Sequence, residues 1–261
     1  MEDLLVSFAS IYLLGFVLYL YLKAAWEQQG TNRGWPVWRT ISFCAGILCL
    51  LVAVAPTLLS WAHLSFKGHM VQHLLLAMVA PIGLVMGMPV SLLLRSCTQG
   101  QAKRISMLLH SSPVHAFTRP LVALLLNVGV MYLLYLSPVF TWMHESLWLH
   151  YLVHLHFFLA GYLFTWVIIG LDPAPRRPGL MSRLIVVFVS IAAHANLCKI
   201  MYSYGYPRTG AFSMDDIRAG AELMYYGGDL AELVVVIILF GSWYVKKGRK
   251  GYEMRWQFWQ S

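Results

Sequence analysis

Charge is scarce in this sequence: 11% of its residues are Asp, Glu, Lys or Arg, where an average soluble domain carries about 25%. A soluble fold of 261 residues could not hide the 59% that are hydrophobic. Cysteine is scarce as well. The four present, Cys44, Cys49, Cys97 and Cys198, include no Cys-x-x-Cys pair, and three lie inside apolar runs. That excludes a disulfide framework, a thiol metal clip and a haem-attachment string. Segments alternating apolar and polar residues are missing, so helices are the only plausible way to span a bilayer. No internal repeat, low-complexity linker or soluble second domain is found, and residues 1–261 read as a single domain. Nothing places a nucleophile beside a base with an oxyanion donor, so no enzyme is expected.

What the chain does have is long apolar runs. They lie near 4–22, 41–62, 70–94, 121–140, 147–171, 184–202 and 223–245. Each supplies the roughly 20 residues that a helix rising 1.5 Å per residue needs to cross about 30 Å of hydrocarbon. The expected fold is all-α, an integral membrane bundle of about seven transmembrane helices in the lipid bilayer. The first run follows Glu2 and Asp3 and precedes Lys23, a charge order opposite to that of a cleavable signal peptide, and reads as a retained helix. Pro81, followed by Gly83, Gly87 and Pro89, predicts a kink in the third span.

The cations set a direction. Under this reading 15 of the 19 Lys and Arg share one side: Lys23, Arg33 and Arg39; Arg95, Lys103, Arg104 and Arg119; Arg176, Arg177 and Arg183; and Lys246, Lys247, Arg249, Lys250 and Arg255. Lys67, Arg208 and Arg218 take the other side, and Lys199 lies in a span. The amino terminus is therefore expected outside and the carboxyl terminus in the cytoplasm, in a bacterial plasma membrane. The net charge of +8 belongs to these short loops and meets anionic lipid, so no nucleic-acid partner is indicated.

Ionisable residues inside spans are expensive and therefore informative. His69 and His73 open the third span in His-Met-Val-Gln-His, and His150 and His154 open the fifth in His-Tyr-Leu-Val-His. A spacing of four residues puts two imidazoles on one helix face. Counting residues places His73, His154, His194 and Asp229 roughly 5, 10, 12 and 9 Å below the outer surface. Met70 and Met224, at outer span ends, add thioethers that favour Cu(I), and Asp229 could orient an imidazole or pair with Lys199. The candidate metal site is therefore His69, His73, His150, His154, His194, Met70, Met224 and Asp229. His156 lies about 200° around the helix from His154 and is left out. His63 and His144, in external loops, and His110 and His115, in the basic loop, read as solvated.

The blocks His69-Met-Val-Gln-His73-Leu-Leu-Leu-Ala-Met-Val-Ala-Pro81 and Gly87-Met-Pro89 resemble the multi-spanning CtaG family, the assembly factors of caa(3)-type cytochrome c oxidase. The resemblance continues in His150-Tyr-Leu-Val-His154, with Phe157, Gly161, Phe164, Trp166 and Asp172-Pro173, and in Asp216, Gly220 and Met224. It implies a seven-helix membrane protein needed to form the copper centre paired with haem in the oxidase. Val153 stands where an acidic residue is expected, and Ile217 where glutamine is.

Three functions follow. The first is a copper-handling assembly factor or metallochaperone that receives copper at the outer face, from an extracytoplasmic donor, and passes it to a haem-copper oxidase subunit. The second is a haem-binding membrane oxidoreductase, since histidines on facing helices also ligate haem iron. The third is a copper permease, for which polar residues through the full membrane depth are expected.

Overall fold

Hydrocarbon offers no hydrogen bonds to a peptide group, so an apolar chain crosses it as helix. The computed structural model of the protein describes residues 2–31, 34–174 and 177–258, with side chains described over 6–31, 34–174, 177–245 and 247. Among these residues there are helices and no strand. Arg33 and Arg176, and the side chains of Lys246, Arg249, Lys250 and Arg255, all used for orientation, lie outside the described residues.

The helices are α1 (Glu2–Gln29), α2 (Val37–Ala53), α3 (Pro56–Leu64), α4 (Phe66–Met86), α5 (Pro89–Ser96), α6 (Gln99–Leu109), α7 (Ser112–Phe117), α8 (Pro120–Leu136), α9 (Val139–Glu145), α10 (Leu147–Ile169), α11 (Leu180–Tyr204) and α12 (Met214–Phe258). Five are long and apolar enough to span by themselves, and the bent pairs α2–α3 and α8–α9 bring the total to seven. The runs at 41–62 and 121–140 are therefore broken, by 54° and 80°. Pro56 starts α3 and Pro138 precedes α9, and neither can donate the amide that would continue the preceding helix. The run at 70–94 ends early, at Met86, where Gly87 and a left-handed Met88 turn the chain into α5.

The kink expected at Pro81 takes a specific form. Leu75–Val79 widens into a π-turn in which the Ala80 amide donates to the Leu75 carbonyl. Pro81 has no N–H for the Ala77 carbonyl four residues back. That carbonyl faces Gly161 of α10, so closely that a Cβ at position 161 would overlap it. On the other face, Gly83 crosses Gly46 of α2, and a Cβ on either would lie within 3 Å of backbone. A second π-turn, Leu125–Gly129 in α8, is met by His156, whose ring N–H donates to the Leu126 carbonyl at 3.0 Å. His156 thus points away from the other histidines of α10.

Two aspartates cap helices to which they do not belong. Asp216, at the start of α12, accepts from the Phe66 and Lys67 amides at 2.6 and 3.3 Å and from the Ser65 hydroxyl at 2.9 Å, closing the start of α4. Four residues on, Gly220 lets Phe66 of α4 lie against α12. At the opposite end of the bundle Asp172 accepts from the Val90 and Ser91 amides at 3.0 and 2.9 Å and from the Ser91 hydroxyl at 2.6 Å, closing the start of α5. Burial pushes the Asp172 carboxyl up in pKa, and its Ser91 and Val90 donors pull the other way. Helix starts carry unpaired amides and a positive dipole end, so a carboxylate is the matching partner.

Replacing Gly161 by alanine is expected to destabilise the protein by about 1–3 kcal/mol, because the added carbon meets backbone that cannot rotate away. The melting temperature in mild detergent, compared with that of Gly129→Ala where no atom lies within 4 Å, checks this.

Candidate functional site

The two helices that carry the paired histidines begin alike. Ser65 and Ser146 cap α4 and α10, their hydroxyls accepting from the Gly68 and Leu149 amides at 3.3 and 3.4 Å. The first helical bonds then run from the His69 amide to the Ser65 carbonyl, 3.0 Å, and from the His150 amide to the Ser146 carbonyl, 2.9 Å. Each helix therefore holds histidines four and eight residues after its capping serine, and a common rise per residue gives the two pairs the same spacing along their helices.

Packing of α4 on α10 brings the pairs together. The His69 and His154 ring centres are 5.7 Å apart, and those of His150 and His154 4.3 Å. His194 of α11, together with His154, lies within electrostatic reach of His73. All five are buried, His154 the most open at 8%. Gly228 of α12 makes room for the His194 ring, and a Cβ there would overlap it. Aromatic side chains close the layer. Tyr135 of α8 meets the His69 Nε2 through its hydroxyl at 3.3 Å, Phe157 lies 4.9 Å from His73, and Phe140 lies 5.2 Å from His69.

The nitrogen atoms decide what this layer can do. The His154 Nδ1 lies 2.8 Å from the His150 carbonyl, an acceptor only, so Nδ1 carries the proton and Nε2 the lone pair. His69 Nδ1, His150 Nε2 and both ring nitrogens of His73 and of His194 are buried without a partner. An unpaired buried polar atom costs about 1–3 kcal/mol, so this many in one layer mark a place that does something besides hold the fold. Among the described residues no three His, Cys, Asp or Glu side chains converge closely enough to hold an ion together.

Other expected site residues sit nearby in different settings. Met70 and Met224 are fully buried in the central hydrophobic cluster. Val153 and Ile217, where polar residues were expected, are buried in that same cluster. Asp229 is half-buried and has Cys198 and Glu232 as electrostatic neighbours. Lys199 is exposed with its ammonium 5.8 Å from the Tyr225 ring centre, and among the described residues no ion pair joins it to Asp229. One turn further from the histidine end, Asn127, Thr165, Ser190 and Glu232 line a cavity of about 30 Å³, and one Glu232 oxygen is buried there without a partner.

His63 and His144, which the sequence suggests are solvated loop residues, lie at the rim of the histidine layer instead. They ride on α3 and α9, the short helices that fold back after Pro56 and Pro138, and both are half-buried. The His63 ring lies 4.8 Å from His150 and 6.5 Å from His144, and His144 lies 6.3 Å from His69. A histidine several residues after a helix-breaking proline, at the histidine end of the second and of the fourth span, was the available signal.

The family model of cytochrome c oxidase caa3 assembly factors matches residues 17–246. An uncharacterized protein of Mycobacterium leprae is 28% identical over 242 residues, covering 85% of this chain and 37% of that protein. Uncharacterized proteins of Mycobacterium bovis and Mycobacterium tuberculosis are each 33% identical over 179 residues, covering 66% of this chain and 27% of theirs. The chain thus spans about a third of the length of these curated relatives. No solved structure matches significantly.

Gly228→Ala should cost about 1–3 kcal/mol, the usual price of overpacking, because its new methyl collides with the His194 ring. Removing that ring as well, in Gly228→Ala with His194→Ala, should return most of the loss. Melting curves of the two single variants and the double variant form the cycle, and a simple sum of the single effects would show that the two residues do not meet.

Proposed function

We propose, from the premise that the chain belongs to the cytochrome c oxidase caa3 assembly factor family, that its buried histidines hold copper and yield it to an oxidase subunit within the membrane. The observation that carries this reading is the set of buried ring nitrogens without partners on His69, His73, His150 and His194. Neutral imidazoles ligate copper, and a complex with them would carry only the single charge of Cu(I). With a metal–nitrogen bond of about 2 Å, two imidazoles that share an ion have ring centres roughly 5–6.5 Å apart. The 5.7 Å between His69 and His154 suits such a bridge from α4 to α10. On this reading Met70 and Met224 would add thioethers, and Asp229 a carboxylate, to the imidazole set. The chaperone role makes the bundle a carrier, and no residue is assigned a catalytic step.

Copper loading of the purified protein in detergent, under reducing and anaerobic conditions, tests the reading. Wild type is expected to retain copper through gel filtration and to show no stoichiometric Soret band. His73→Ala and His154→Ala are expected to lose about tenfold or more in copper affinity while melting within a few degrees of wild type, because helix backbone bonds do not depend on these rings. In cells the same variants should leave the oxidase haem in place and abolish its activity. Copper retention unchanged in both variants removes the site.

The reading also requires the histidine end to face outward in the plasma membrane, where the excess of Lys and Arg at the other end would put it. Alkaline phosphatase inserted at Gly210, in the loop between α11 and α12, should be active, and at Gly100, beyond α5, inactive. The reverse pattern overturns the orientation.

A further inference from the structure

The histidines are arranged in two tiers, and the outer tier has a geometry of its own. His63 and His144 are half-buried at the rim, whereas His150, His69, His73 and His194 are each no more than 3% exposed. The His144 Nδ1 lies 3.2 Å from the Phe140 carbonyl, which fixes its proton there and leaves the lone pair on Nε2, a buried atom without a partner. The His150 Nε2, beside His63, is likewise buried and unpartnered. Phe140 and Phe212 wall the His144 ring at 4.6 and 5.7 Å. Two proline-broken helices bring His63 and His144 here, and an unbroken span would carry each of them past the layer.

We infer that His63, His144 and His150 form a receiving tier through which a soft monovalent metal ion, Cu(I), is passed to the buried tier. This rests on the copper reading above and adds the route and the residues that serve it. The steps are His63 to His150 at 4.8 Å, His144 to His69 at 6.3 Å, His150 to His154 at 4.3 Å and His154 to His69 at 5.7 Å. Three of them are close to the roughly 5–6.5 Å at which two imidazoles share one ion, and His150 and His154 are nearer still on one helix face, so an ion can exchange one ring for the next without being released to water. Only pairs have this spacing, and among the described residues no triad does. Cu(I) accepts two ligands, whereas Zn(II) holds out for four, so the ladder selects by coordination number. Each exchange forms one metal–nitrogen bond and breaks another, and no electron or proton moves.

The test uses the full chain in detergent, loaded anaerobically from a coloured Cu(I)–bicinchoninate complex whose bleaching gives the rate. The double variant His63→Ala with His144→Ala is expected to load about tenfold more slowly than wild type and to retain the same copper at equilibrium. Free imidazole added to the buffer should restore much of the rate in this variant, a rescue that a purely structural role would not show. His63→Gln with His144→Gln keeps size and hydrogen bonding, and it should load as slowly as the alanine pair. Loading as fast as wild type overturns the receiving tier while leaving the copper reading intact, and so does a proportionate loss of bound copper, which would make these residues part of the holding site. A wild-type protein that takes up no copper overturns both.

Discussion

Every peptide group that a membrane helix frees must find its partner inside the protein, and this one requirement shapes the bundle. The chain breaks its helices repeatedly, at Pro56, Pro81, Met88 and Pro138, and several of the irregular points have an identifiable partner. The carbonyl freed by Pro81 is closed over by Gly161, and the π-turn in α8 is met by His156. The starts of α4 and α5 are closed by carboxylates from α12 and from the end of α10. These partners are sequence-distant residues, so they also tie the bundle together. The Asp216 cap is the clearest case, because it pins the end of α4 from which the histidine pair is counted.

The breaks are not scattered. Those at Pro56 and Pro138 lie toward the histidine end and fold α3 and α9 over the layer, covering it with His63, His144 and Phe140. The π-turn at Leu75–Val79 follows His73 directly, in the stretch where α4 must pass both α2 and α10 at glycine contacts. A straight α4 could not meet Gly46 on one side and Gly161 on the other with the same register. The breaks thus let the short helices α3 and α9 bring imidazoles up to those carried by α4, α10 and α11.

Much of this was legible in the sequence. The membrane-bundle class followed from apolar run lengths, and the matched histidine pairs followed from their spacing, because both depend on the fixed rise of a helix. What sequence could not give was the contact between helices. His63 and His144 are close in space to His150 and distant from each other in the chain, so only the 54° and 80° bends reveal them. Sequence allowed Lys199 to pair with Asp229, yet Lys199 turns outward onto Tyr225, which rotation about the helix axis decides and residue counting does not.

A protein that delivers an ion has to bind it less firmly than one that keeps it, since release must be as accessible as capture. A closed tetrahedral cage of the structural zinc kind would satisfy every nitrogen and hold its metal indefinitely. The layer here leaves buried nitrogens unpaired and offers imidazoles two at a time, so any ion it holds is held by few bonds and has a neighbouring pair to move to. A bound ion would relieve the cost of those unpaired nitrogens, about 1–3 kcal/mol each, which would favour capture. On the proposed copper reading, sharing one ion among successive pairs would keep that gain from becoming a trap, and the same geometry would suit both halves of a delivery cycle.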